Sequence, residues 1–160
     1  MFKKTTLTLL LATGLAVTTV AAADDWRRTA DESTKIDQLV RAMPNTADLM
    51  LHVGERYNNL YWAARQEQWD FAAYQAKELR GVLNRNKVTR PGRAADIDQF
   101  LELAWPEIEE ATASRDWDRF EAAFGSMRSA CLACHATTGY DFIGLPLVPQ
   151  RPANPALHLD

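Results

Sequence analysis

Both cysteines of this 160-residue chain and one of its three histidines stand together in Cys131-Leu132-Ala133-Cys134-His135. Two thiols three residues apart, followed at once by an imidazole, form the C-x-x-C-H arrangement by which a c-type haem is attached. Each sulfur makes a thioether to a vinyl group and the histidine binds iron. The spacing has a geometric reason. Residues three and four apart share a helix face, so Cys131, Cys134 and His135 address one flat macrocycle when the segment is helical. Other thiol chemistries fit less well. A zinc site needs four ligands, and no second C-x-x-C or H-x-x-x-H lies at a usual spacing. A thioredoxin-like pair opens a βαβ unit, whereas this pair lies far downstream in a helix-rich chain. A structural disulfide is the remaining alternative for an exported protein.

The elements that must hold these residues are helical. From about Thr46 to Gln68, apolar residues recur at Leu49, Val53, Tyr57, Leu60 and Ala64, the spacing of an amphipathic helix. A second helix is predicted from about Asp70 to Asn84 on Phe71, Tyr74, Leu79 and Leu83, followed by a polar linker with Pro91-Gly92. A third runs from about Ala94 to Ser114, with Pro106 inside the pattern; the helix either kinks there or restarts with proline in its first turn. Asp116 is the expected N-cap of a fourth, which carries Phe120, Ala123, Phe124, Met127, Ala130 and then the thiols. Trp69-Asp70-Phe71 and Trp117-Asp118-Arg119-Phe120 echo one another and put a tryptophan at each of two tight turns. A tetratricopeptide-like array fits poorly, since no clean period of roughly 34 residues is present. Two αα-hairpins packed together give an all-α, antiparallel four-helix bundle with the haem at one end.

The N-terminus bears on compartment. Lys3 and Lys4, the apolar stretch Leu7 to Val20 and Ala21-Ala22-Ala23 have the order of a secretory signal cleaved before Asp24. The stretch is short and interrupted for a membrane span, so an uncleaved anchor is the weaker reading. Cleavage takes Lys3 and Lys4 from the 18 basic residues and nothing from the 21 acidic ones, which changes the formal charge from −3 to −5. A mildly acidic chain without a basic stripe is repelled by phosphates, which excludes nucleic acid as the expected partner. The expected organisation is a signal peptide over 1–23, an N-terminal segment over 24–44, a helical cytochrome domain over 45–138 and an extended tail over 139–160, punctuated by Pro146, Pro149, Pro152 and Pro155.

A C-x-x-C-H near the end of the last helix of an exported, all-α chain resembles the cytochrome c-prime class of four-helix-bundle cytochromes. The run His135-Ala136-Thr137-Thr138-Gly139-Tyr140-Asp141-Phe142-Ile143, together with the Trp69 turn, is also similar to a less characterised group of proteobacterial c-type haem proteins. The resemblance covers roughly residues 45–149, and only the haem motif in it is highly specific. It implies one covalent haem c, a periplasmic location, redox partner proteins and a homodimer interface; the proline-rich tail departs from the pattern of the class.

His135 is the expected proximal ligand, its other ring nitrogen held by a backbone carbonyl or water. In an up-down-up-down bundle the start of the first helix lies beside the end of the last, which brings Met50 and His52 near the iron as alternative sixth ligands. Met43 and His158 are weaker candidates. Phe142 and Ile143 could fold over a haem edge, and Arg128 could meet a propionate or stand solvated. The expected function is one-electron transfer by a periplasmic carrier. The alternatives are a gas-binding haem protein with an open distal site and, less well supported, a peroxidase with His52 as its distal group.

Overall fold

The computed structural model describes residues 25–153, so the signal segment and His158 lie outside the described residues. Every regular element among the described residues is helical, as the sequence predicts: α1 (Trp26–Thr29), α2 (Glu32–Ala42), α3 (Thr46–Arg65), α4 (Trp69–Thr89), α5 (Ala94–Ser114) and α6 (Trp117–Thr137), with a 3-10 turn at Pro91–Arg93 before α5. Among the described residues no helix is long and apolar enough to cross a membrane.

The chain divides into two units, one ending at Arg41 and the other beginning at Ala42. The first carries α1 and nearly all of α2, so the expected N-terminal segment over 24–44 contains two helices. Asp31 starts α2 by accepting from the Thr34 backbone N–H at 2.7 Å and the Ser33 hydroxyl at 2.8 Å. Ile36, Leu39 and Val40 then follow at helical spacing, and each is more than half exposed.

In the second unit, α3 begins at a reciprocal cap: Asn45 accepts from the Asp48 N–H, and the Asp48 carboxylate accepts from the Asn45 N–H, both at 3.0 Å. It ends with Glu67 in the left-handed region at φ 59°, while Gln68 N–H donates to the Ala63 carbonyl and Glu67 N–H to that of Ala64. The second hairpin repeats the device with Arg115 at φ 54°. In each, the tryptophan two residues later opens the next helix, which is the physical content of the sequence echo. α4 runs past Asn84 to Thr89, five residues beyond the predicted end. Tertiary partners override the poor helix formers there: Asn86 is fully buried and accepts from the Thr46 hydroxyl at 3.1 Å, and Lys87 pairs with Asp98. α5 passes through Pro106 unbroken, with the ring exposed. The Glu102 carbonyl, deprived of its helical donor by proline, therefore lies on the solvent side, where water can serve it.

α3 packs along α4, α4 along α5 and α5 along α6, while α3 and α6 meet more sparingly. Aromatic rings fill that last seam. Tyr57 and Phe124 stand 4.5 Å apart between centroids, Tyr61 and Phe124 5.2 Å, and Tyr61 and Trp117 5.5 Å. Ascending α3 from Tyr57 to Tyr61 thus descends α6 toward its start, so the two helices run antiparallel. Edge-on and tilted rings of this kind add to the burial term that holds the seam.

Candidate haem-attachment site

The antiparallel α3–α6 seam sets which residues share the level of the thiols. Tyr57 lies against Phe124. Seven residues before Tyr57 is Met50 and seven after Phe124 is Cys131, two turns in each case, so Met50 and Cys131 stand at the same height. Met50, Val53, Ala130 and Cys131 are half-buried against the core, and Met127, one turn below Cys131, is fully buried. His52 is exposed. Of the two alternative sixth ligands, the structure thus puts Met50 on the inner face of α3 and His52 on its outer side. Met43 is half-buried before α3, and its carbonyl accepts from Arg90 at 3.0 Å.

Both cysteines are free thiols. Burial pushes the Cys131 thiol up to about 12, with the nearby Cys134 adding to the effect. Cys134 is also raised, first by burial and then by Asp96, with Arg93 acting in the opposite sense. Cys131 packs against the core, and Cys134, three residues on, is likewise half-buried. Neither is a reactive thiolate at neutral pH.

His135 occupies the last turn of α6. Gly139, at φ +82°, closes the helix: the Tyr140 N–H donates to the His135 carbonyl at 2.7 Å and the Gly139 N–H to that of Ala136 at 3.4 Å. The chain turns back through Tyr140, whose carbonyl accepts from the Ile143 N–H at 2.9 Å. This brings the Ile143 carbonyl to 3.2 Å from His135 Nδ1. A carbonyl only accepts, so Nδ1 is the protonated nitrogen of this pair and Nε2 keeps the lone pair. The expected backbone partner of the imidazole is thus present and comes from the tail.

A haem held by two thioethers and one imidazole asks for two unpaired thiols on one helical turn, an imidazole with a fixed tautomer and an apolar wall beside them. Cys131, Cys134, His135 with Ile143, and Met127 with Tyr57 meet those requirements, so the residues fit the group. Among the described residues, no group of three or more His, Cys, Asp or Glu side chains converges on a bare metal ion.

Three sequence candidates have other surroundings. Arg128 is half-buried and its Nε donates to the Leu145 carbonyl at 2.7 Å, a structural contact that neither the propionate nor the solvated reading anticipates. Phe142 is 78% exposed and Ile143 42%, so their side chains point away from the core and the backbone of Ile143 makes the contact that matters. Tyr57 and Trp62 also hold the tail: the Tyr57 hydroxyl donates to the Pro146 carbonyl and Trp62 Nε1 to the Pro149 carbonyl, each at 3.0 Å. Neither contact is foreseen from the sequence: Tyr57 and Trp62 lie 89 and 87 residues from the carbonyls they bind. Comparison with protein-family models, curated proteins and solved structures finds no match to this chain.

Proposed function

We propose that this chain is a single-haem c-type cytochrome of the exported compartment, an electron carrier built on an antiparallel four-helix bundle that resembles the cytochromes c-prime, with the haem at the end where α3 begins and α6 stops. The observation that carries the reading is the C-x-x-C-H turn itself, with both thiols unpaired and the His135 Nδ1 proton committed to the Ile143 carbonyl. Cys131 and Cys134 would hold the group through thioethers, each S–H adding across a vinyl double bond with sulfur to one carbon and hydrogen to the other, so that no oxidant would be needed. His135, with Nδ1 on the Ile143 carbonyl, would bind the iron through Nε2. When bound, the haem iron supplies a reversible ferrous–ferric couple. Met127, Tyr57 and Phe124 exclude water from the inner side, which lowers the local dielectric. Met50, level with Cys131 and facing the core, is the sixth ligand this geometry favours over His52.

Acid-acetone extraction followed by intact mass tests attachment: haem mass retained on the polypeptide supports it, and its loss refutes it. Spectra of ferric and ferrous protein, with and without carbon monoxide, then test the ligand. The wild type and His52→Ala should be low-spin and slow to take up carbon monoxide, whereas Met50→Ala should be high-spin and bind it readily. Rapid uptake by the wild type, unaltered in both variants, would move the assignment to a gas-binding protein with an open distal site.

A further inference from the structure

The C-terminal tail is attached in a one-sided way. Between Ile143 and Pro149 it contributes four backbone carbonyls, and every donor is a side chain of α3 or α6. His135 Nδ1 meets Ile143 at 3.2 Å, Arg128 Nε meets Leu145 at 2.7 Å, the Tyr57 hydroxyl meets Pro146 at 3.0 Å and Trp62 Nε1 meets Pro149 at 3.0 Å. Leu145 packs on the core and Pro149 is buried. Beyond these, Arg151 lies over the Trp62 ring at 5.5 Å and Arg93 over that of Tyr140 at 5.6 Å. Prolines 146 and 149 carry no N–H, so the segment offers acceptors with few competing donors and is pre-extended before it docks. One feature separates this from a tail merely glued to the surface. Its first anchor is the imidazole itself, while Tyr57 and Trp62 grip it farther along the opposite helix.

We propose that residues 139–149 are a strap that positions the axial imidazole, with Tyr57, Trp62 and Arg128 as positioning residues acting on His135 through the Ile143 carbonyl. This rests on the haem reading above. The strap fixes the tautomer and the rotation of the ring. By taking the Nδ1 proton into a hydrogen bond it also makes Nε2 a stronger donor, which favours ferric iron. Releasing the strap should therefore raise the reduction potential and weaken the iron–histidine bond, with the thioethers intact.

The test uses the haem-loaded full chain and the double variant Tyr57→Phe with Trp62→Phe, which removes two donors while keeping aromatic bulk in the seam; Arg128→Gln serves as the independent second variant. Intact mass should show the same covalent haem as wild type. Potentiometry should give a higher midpoint potential in both variants. Resonance Raman spectra of the ferrous state in a Met50→Ala background should show a lower iron–histidine stretching frequency. Unchanged potential and stretching frequency in both variants would overturn the proposal. Absence of covalent haem from the wild type would instead overturn the cytochrome reading and the redox role with it. Nitrogen NMR of His135 in the haem-free chain at about pH 8, where an ordinary imidazole is neutral, would still report on the strap. A pure Nδ1–H tautomer in the wild type and a mixture in the variants would support it, and a mixture in both would overturn it.

Discussion

The two thiols differ in what surrounds them, and that difference is measurable. Cys131 is packed against the core and its thiol is pushed up to about 12 from an ordinary value of 9.0, burial being the main cause. In the folded, haem-free chain it stays neutral while the same thiol in the unfolded chain ionises. Below about pH 9 both states hold the proton and the contribution to stability is complete; as pH rises from about 9 toward 12 only the unfolded state releases it, and stability falls. Tyr57 is displaced upward by burial as well, so it acts in the same sense from about pH 10, the ordinary tyrosine value, upward, in wild type and variant alike. Thermal unfolding of haem-free wild type should therefore lose midpoint temperature more steeply between about pH 9 and 12 than Cys131→Ala does. Parallel slopes would show that Cys131 is not buried as described. The same burial packs Cys131 against the core at the level of Met127 and Tyr57.

At the scale of elements, α5 shows how tertiary packing tolerates a local defect. Pro106 removes one backbone donor and crowds the preceding turn, yet Ala104, Trp105 and Ile108 around it are buried and hold the helix together across the break in hydrogen bonding. Because the proline ring itself is exposed, replacing it costs no packing. Pro106→Ala should stabilise the protein by about 2 kcal/mol, the restored hydrogen bond and relieved clash outweighing the extra freedom of the unfolded chain. Urea unfolding would read this as a higher midpoint with an unchanged slope. A loss of stability would mean that the proline has a packing role its exposure does not reveal.

For the second unit as a whole, the aromatic seam between α3 and α6 joins stability to the candidate site. Phe124 is 1% exposed and touches Tyr57, Tyr61 and Phe120. Phe124→Ala should cost about 3 to 5 kcal/mol in denaturant unfolding, since it leaves a cavity among rings that cannot collapse into it. The effect should reach the tail: with its neighbour gone, Tyr57 can tilt and its hydroxyl loses the Pro146 carbonyl. Exchange of the Ile143 N–H, held on the Tyr140 carbonyl at 2.9 Å, should accordingly quicken more than exchange across α4.

The sequence by itself determined the helices and the common face of the thiols and imidazole in the turn. Apolar spacing at Leu49, Val53, Tyr57 and Leu60 dictates a buried stripe whatever it packs against, Asp116 dictates a helix start, and thiols at 131 and 134 with an imidazole at 135 share a face by the pitch of a helix alone. Such features are local, so they are legible without a fold. Other features were decided only when distant segments met. α4 extends to Thr89 because Asn86 and Lys87 find partners on α3 and α5. Met50 faces inward and His52 outward because the antiparallel seam fixes the rotation of α3 about its axis. The sequence placed both near the site and could not choose, since neighbouring positions on one helix differ only in phase, and phase is set by the opposing surface. Arg128, Tyr57 and Trp62 hold the tail because Gly139 reverses the chain and lays its carbonyls along α3 and α6, 17 to 89 residues away in sequence from the side chains that grip them. No periodicity records a hydrogen bond between a side chain and a remote carbonyl, because a carbonyl is the same in every residue and only its position in space distinguishes it.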